Sequence, residues 1–283
     1  MEREVITKRA HGIDISMHQI FRGATKAQDR GYRPETTWGQ TDWAIAKVGE
    51  GFNTPYKTLQ GGNDGDRDFR LLWDGVSQIP IRGVYFYQRS GYSWQRQADL
   101  VLEYLRTLNV QPHMLWLDLE KINNTINKEM LADAGRILDY WKANSKMTVG
   151  LYANPDVVNN YLVPLGTKYY GKAWVDGVMS YPQWLAQYYL FQRSPDKQPL
   201  TYKNYPLWRI WQYTDNGDSY DANRNRHYGS PDLNVYNGTV EEMKAWLGIT
   251  NDVVIPDPPV EIDTITIDQV TVKLTSGKEI TLK

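Results

Sequence analysis

The sequence predicts an α/β fold: a single irregular TIM-like (β/α) barrel with a short C-terminal β-hairpin tail. Three observations predict it. About eight short apolar runs alternate with stretches of helical period over about 250 residues. Acidic residues fall at the ends of several of these runs, which is the end where such barrels carry their sites. No G-x-G-x-x-G follows the first run, which disfavours an open doubly wound sheet.

The strand-like runs are Gly12–Ile15, Trp43–Val48, Ile81–Tyr87, Met114–Leu119, Thr148–Tyr152, Gln183–Ala186, Leu207–Tyr213 and a short one near Leu233–Val235. Helical period appears after Ser93, where Trp94, Ala98, Val101, Leu102, Leu105 and Leu108 share a face. It appears again after Asn127, with Met130, Leu131, Ala134, Ile137, Leu138 and Trp141. Ser93 and Asn127 are expected N-caps, because their side-chain oxygens can accept from unpaired N–H groups of the first turn. Thr239-Val-Glu-Glu242 has the form of a capping box, opening a last helix that stops at Gly248. The Arg22–Trp38, Thr167–Gly177 and Leu190–Tyr205 segments read as rim loops.

The barrel is expected over residues 1–250. Ile255-Pro-Asp-Pro-Pro-Val260 lies in a stiff linker, residues 251–261. Residues 262–283 alternate and are rich in β-branched side chains, with a turn at Ser276-Gly-Lys278, and read as a β-hairpin. So short a hairpin cannot support its own core, so it is expected to pair with a second copy, another protein or the barrel.

The formal charge of −1 gives no reason to expect nucleic acid. There is no Cys and only four His, so a zinc site is poorly supplied, and neither a metal nor another cofactor is expected. No apolar segment is long enough for a membrane span, and Met1–Arg9 lacks the apolar core of a signal peptide. Eleven Trp and twenty Tyr stand against five Phe. Such rings combine a flat apolar face with a polar handle, which suits stacking on sugars.

The most informative stretch is His113-Met-Leu-Trp-Leu-Asp118-Leu-Glu120. Strand side chains alternate, so Asp118 and Glu120 point the same way, with Cα atoms roughly 6.5 Å apart. Two same-facing acids at the end of a buried strand are costly unless they are used. Neighbouring carboxylates with pKa values pushed apart are the equipment of glycosidic-bond hydrolysis. Asp14 and Glu50 fall at the ends of the first two runs, and Asp232 near the eighth.

Several motifs occur in order: Gly12-Ile-Asp14-Ile-Ser16-Met-His-Gln19, Lys47-Val-Gly-Glu50-Gly51, Gly83-Val-Tyr85-Phe-Tyr87, Trp116-Leu-Asp118-Leu-Glu120 and Leu151-Tyr152-Ala-Asn154-Pro155. Trp184-Leu-Ala-Gln187-Tyr188, Trp211-Gln212-Tyr213 and Asp232-Leu-Asn234-Val-Tyr follow. Together, from His11 to Gly248, they resemble the family 25 glycoside hydrolases, the muramidase-type lysozymes. The resemblance implies an α/β barrel with some irregular or antiparallel late strands. It implies cleavage of the β-1,4 bond between N-acetylmuramic acid and N-acetylglucosamine in peptidoglycan, with retention. The nucleophile is left open between an enzyme group and the substrate acetamido oxygen.

By resemblance, Glu120 is the general acid and Asp118 is ionised, steadying an oxocarbenium-like centre or orienting the 2-acetamido group. Asp14 and Asp232 match two further acids, for water activation, charge tuning or substrate orientation. Candidate groove residues are Glu50, Tyr85, Tyr87, Tyr152, Trp184, Gln187, Gln212 and Tyr213, while His18 reads as structural. The relatives' usual His-Phe is replaced by Phe86-Tyr87. The expected partner is the peptidoglycan glycan strand. The tail suggests a homo-oligomer or a virion protein. The lack of a leader fits a phage lysin that waits in the host cytoplasm for a holin, or one built into the virion. The competing readings are a catalytically silent glycan-binding barrel and a chitinase-like glycosidase. The first lacks a lost acid, and the second lacks its D-x-x-D-x-D-x-E strand.

Overall fold

A computed structural model describes residues 9–16, 41–51, 65–188, 198–215, 231–249, 270–273 and 279–282. Of 65–68, 270–273 and 279–282 only the backbone is described. His18 and the Arg22–Trp38 loop lie outside the described residues. The chain divides into two units, Met1–Ile249 and Thr250–Lys283.

In the first unit eight strands close a barrel in chain order. They are β1 (His11–Ile15), β2 (Trp43–Glu50), β3 (Ile81–Tyr87), β4 (Met114–Asp118), β5 (Thr148–Ala153), β6 (Gln183–Ala186), β7 (Ile210–Thr214) and β8 (Asp232–Tyr236). Neighbours from β1 to β7 pair in parallel. β8 closes the ring antiparallel to both β7 and β1. The parallel order is therefore broken at the last strand. The irregularity falls late in the chain, as the family resemblance implied.

Around the barrel lie α1 (Gly65–Gly75), α2 (Trp94–Thr107), α3 (Lys128–Asn144), α4 (Pro155–Val157), α5 (Val163–Tyr170), α6 (Lys172–Met179) and α7 (Val240–Trp246). A π-turn, Val158–Leu162, joins α4 to α5. The caps form as expected. Ser93 accepts from the Arg96 N–H, Asn127 from Met130, and Thr239 with Glu242 makes both bonds of a capping box. Gly248 follows α7 at φ +69°, a conformation that suits glycine. Thr167–Gly177 is not a rim loop, since it holds the end of α5 and most of α6. Tyr202, in the expected Leu190–Tyr205 loop, is buried and donates to the Ala153 carbonyl at 2.9 Å.

Strand alternation creates two apolar layers. Leu115 and Leu117 of β4, Val84 and Phe86 of β3, and Trp211 and Tyr213 of β7 pack outward in the layer that holds the helices' apolar faces. Met114 and Trp116, with Trp43, Ile45, Trp184 and Ile210, fill the barrel interior. Small residues make room for the indoles. A Cβ on Gly150 would stand 2.2 Å from the Trp116 ring and 2.8 Å from the Pro182 carbonyl oxygen. Gly150→Ala should destabilise the fold by about 1–3 kcal/mol, because the core is already close-packed and backbone blocks one escape. Urea unfolding checks this, and an unchanged midpoint would contradict it.

Among the described residues no helix is long and apolar enough to cross a membrane. In the second unit β9 (Val270–Lys273) pairs antiparallel with β10 (Glu279–Leu282), with Lys273 opposite Glu279 and Val270 opposite Leu282. Ile255–Val260 and the Ser276–Lys278 turn lie outside the described residues.

Candidate active site

The barrel's interior ends at one mouth in a polar cavity of about 320 Å³. Inward-facing positions deliver its acids. On β4 the series Met114, Trp116, Asp118 faces inward, so the same alternation that buries two apolar side chains lifts Asp118 to the mouth. Glu120, two residues on, lines the same cavity. Asp14 comes from the end of β1. Asp232 opens β8 and stands directly opposite Asp14 in the ladder. Because β8 runs antiparallel, its first residue meets the parallel strands' last ones. That is why an acid before a strand joins acids that follow strands.

Lys47 and Glu50 also line the cavity. Three residues apart on a regular strand they would face opposite ways. A register shift between Lys47 and Gly49 inserts a residue against β3 and brings both to the mouth. Lys47 Nζ lies 2.5 Å from Glu50 Oε2, and an Arg89 guanidinium nitrogen lies 2.9 Å from Glu50 Oε1. The guanidinium rests over the Tyr87 ring at 4.6 Å. Gln97 of α2 fixes the Arg89 backbone from both sides, accepting from its N–H at 3.0 Å and donating to its carbonyl at 3.1 Å. Gly51, at φ +48°, leaves room for the Arg89 stem, whose Cγ would stand 2.4 Å from any added Cβ.

Tyr85, Tyr87, Tyr152, Trp184 and Gln212 line the cavity as well. Trp184 forms floor rather than wall. It is 1% exposed, its ring meets those of Tyr85, Trp116 and Tyr152 edge-on, and its N–H donates to Asn234 Oδ1 at 2.8 Å.

Two expected groove residues are corrected. Tyr213 faces outward into the helix layer, because Gln212 takes the inward position of β7 and alternation permits only one of the two. Gln187 lies just past β6 and is turned away to accept from the Leu200 N–H at 2.6 Å. Its backbone ties the mouth together instead, donating to the Gln212 carbonyl at 3.0 Å and accepting from the Trp211 indole at 2.8 Å. Ser16, Lys47, Arg89 and Tyr188 also line the cavity, and sequence reasoning did not single them out. Ser16, Lys47 and Tyr188 stood inside recognised motifs. Arg89 carried no local signal.

Burial dominates the electrostatics. It raises Asp14 to about 6 despite hydrogen bonds from Asn234 and Gln212, and raises Asp232 to about 9 with help from the Asp14 and Asp215 charges. Burial, then the Glu120 charge, pushes Asp118 well above the usual carboxylate range. Burial also raises Glu120, against the pull of Lys47 and Arg89. Glu50 goes the other way. Burial alone would raise it, but the bonds from Lys47 and Arg89 outweigh burial and hold it low. Asp118 Oδ1 is buried with no hydrogen-bond partner among the described residues. The expected division, with the proton on Glu120 and the charge on Asp118, is therefore not the one that burial favours. The deeper acid carries the stronger pull toward its neutral form.

These shifts set a pH dependence of stability. An acid raised in the folded state stabilises the fold while protonated. That contribution is complete below the ordinary value of 3.8, and is lost as pH rises through about 6 for Asp14 and about 9 for Asp232. The protein should therefore lose stability between pH 5 and pH 8 from this source, with Asp232 the larger contributor. Asp232→Asn should flatten the slope. Urea melts at pH 5, 7 and 8.5 test this, and parallel slopes for wild type and variant would contradict it.

Among the described residues no cluster of three or more His, Asp or Glu is placed to hold a metal ion. The arrangement offers acids at several depths, an amide network beneath them and aromatic walls, which suits acid-assisted cleavage of a glycosidic bond.

Comparison with known proteins agrees. The chain is 28% identical over 240 residues to the uncharacterized protein YegX of Escherichia coli K12, covering 84% of this chain and 73% of that one. Its fold resembles a family 25 glycosyl hydrolase from Bacillus anthracis, with a TM-score of 0.53, 17% identity and coverage of 83% and 92%. It also resembles the catalytic domain of endolysin ply40 from bacteriophage P40 of Listeria monocytogenes, with a TM-score of 0.54, 18% identity and coverage of 86% and 98%. A third likeness is to the spore cortex lytic enzyme SleM of Clostridium perfringens, with a TM-score of 0.56, 15% identity and coverage of 86% and 71%. The family model for glycosyl hydrolases family 25 matches residues 56–222, more than half of the chain. The chain belongs to that family and is a glycoside hydrolase.

Proposed function

We propose that this enzyme cleaves the β-1,4 bond between N-acetylmuramic acid and N-acetylglucosamine in peptidoglycan, with Glu120 as general acid. The observation that carries this reading is the Asp118–Glu120 pair at the end of β4. One member is deeply buried with an oxygen that has no partner among the described residues, and the other is nearer solvent with a raised pKa. Family membership supports a glycosidic bond as the target. Two similar structures are named an endolysin and a spore cortex lytic enzyme, which supports a wall glycan as substrate.

Glu120 gives its proton to the leaving oxygen as the bond breaks. The uncommitted Asp118 Oδ1 suits an amide N–H, which a 2-acetamido group supplies. That bond favours the ionised form of Asp118. An ionised Asp118 then steadies the positive charge that develops at the sugar ring. It also turns the acetamido oxygen toward the anomeric carbon, which favours substrate assistance and retention. Glu50, Tyr85, Tyr87 and Tyr152 form the groove, with Trp184 beneath.

The test is release of reducing ends from purified peptidoglycan, with the anomer formed first read by NMR. Release of the β-anomer supports the reading. The α-anomer would overturn retention, and no release from several chemically distinct walls would overturn the activity.

A further inference from the structure

Gln212 occupies an unusual position. It is 1% exposed at the inward-facing centre of β7, and all four of its hydrogen-bonding positions are filled. Its Nε2 donates to Asp14 Oδ2 at 2.8 Å and to Asp232 Oδ2 at 3.0 Å. Its Oε1 accepts from Tyr152 at 2.9 Å and from Tyr188 at 2.6 Å. This orientation puts the amide N–H groups on the acids, the arrangement that suits them when they are ionised. Asn234 stands opposite Gln212 in the ladder and donates to the same Asp14 oxygen at 2.7 Å. Asn234 is held in turn by the Trp184 indole at 2.8 Å.

We infer that Gln212 is a positioning residue that holds Asp14 and Asp232 in register at the mouth and makes no sugar contact of its own. An amide with no free donor or acceptor offers nothing to a hydroxyl or acetamido group unless an existing bond breaks. Breaking one would give up a bond made in a largely buried network. The amide donates to two acids at once without adding charge, and it does so from a fixed point on β7. The two acids are like-charged cross-strand neighbours, an arrangement that repels when both ionise. Other groups facing them are Asp118 of β4 and Glu120 just past it, Asp215 beyond β7, Tyr85 of β3, and Tyr152 and Tyr188, which bond the amide oxygen. The inference rests on the proposed membership of Asp14 and Asp232 in the hydrolytic site.

The test is kinetics on soluble glycan strands prepared from peptidoglycan, using folded variants checked by near-UV circular dichroism. Gln212→Met keeps the shape and removes every bond. It should lower kcat by about 10²-fold through misplaced acids while leaving KM within about twofold. Gln212→Glu adds a charge beside two acids at pH 7 but gains one O–H donor when protonated. Its rate relative to wild type should rise at least about tenfold between pH 7 and pH 5, which a residue that merely fills space would not produce. Tyr188→Phe, at a ring 42% exposed, removes one anchor of Oε1 and should lower kcat without raising KM, whether or not the core variants fold.

A tenfold higher KM with unchanged kcat in these variants would overturn the inference and make Gln212 a sugar ligand. A flat pH ratio for Gln212→Glu would also overturn it. Asp14→Asn and Asp232→Asn separate the two levels. If both keep the full rate, the role proposed for those acids fails and the positioning role falls with it. If they lose rate while Gln212→Met does not, only the positioning role falls.

Discussion

Glu120→Gln should lower kcat by about 10²–10⁴-fold and leave the protein folded. A general acid contributes about that much, and the amide keeps the shape while losing the proton. The position explains why the fold should survive. Glu120 lies past the last residue of β4, is only partly buried, and ends in a cavity rather than in packed core. Lys47, Arg89 and Tyr152 oppose the rise that burial causes in its pKa, so its proton remains available to a leaving group. Removing one of several mutually repelling acids should not lower the melting temperature. Rates on peptidoglycan with a parallel thermal melt check both halves. Activity within a few-fold of wild type, in a folded variant, would remove Glu120 from the role of acid.

Asp118→Asn is expected to lower kcat by about 10²-fold and at the same time to stabilise the protein at pH 7. The activity loss follows from its proposed work, since a neutral amide steadies developing positive charge poorly. The stability gain follows from the site itself. Asp118 is buried, lies beside Glu120 and has an oxygen with no partner among the described residues, so its charged form is costly in the folded state. A site that stores such cost for function is expected to gain stability when the function is removed. A variant that loses activity and stability together would mean that Asp118 serves chiefly to hold the fold.

The barrel was legible in the sequence because its signals are local. Seven of the eight runs were placed to within two residues at both ends, and the caps at Ser93, Asn127 and Thr239 formed as read. β7 began later than expected, at Ile210, because Leu207 reads as apolar but stands 83% exposed before the strand. Thr167–Gly177 reads as a rim loop, yet it holds the end of α5 and most of α6. What the sequence does not show is their packing: Gly166 allows Trp174 and Val175 to approach within 2.8 Å of where its Cβ would be.

The site was half legible for a similar reason. Asp118 and Glu120 announce themselves by spacing on one strand. Lys47 and Glu50 share a mouth only because of a bulge, and Arg89 arrives there through Gln97 on a different element and a positive φ at Gly51. The role of Gln212 depends on partners from β1, β5, β8 and the segment after β6, and no single stretch of sequence carries that.

The central claim is a muramidase whose acid is Glu120. The most direct measurement is to digest purified peptidoglycan with wild type and Glu120→Gln, reduce the products with borohydride and identify the new ends by mass spectrometry. The account predicts N-acetylmuramitol ends made by wild type and absent from the variant's digest. N-acetylglucosaminitol ends, or muramitol ends made equally well by Glu120→Gln, would contradict it.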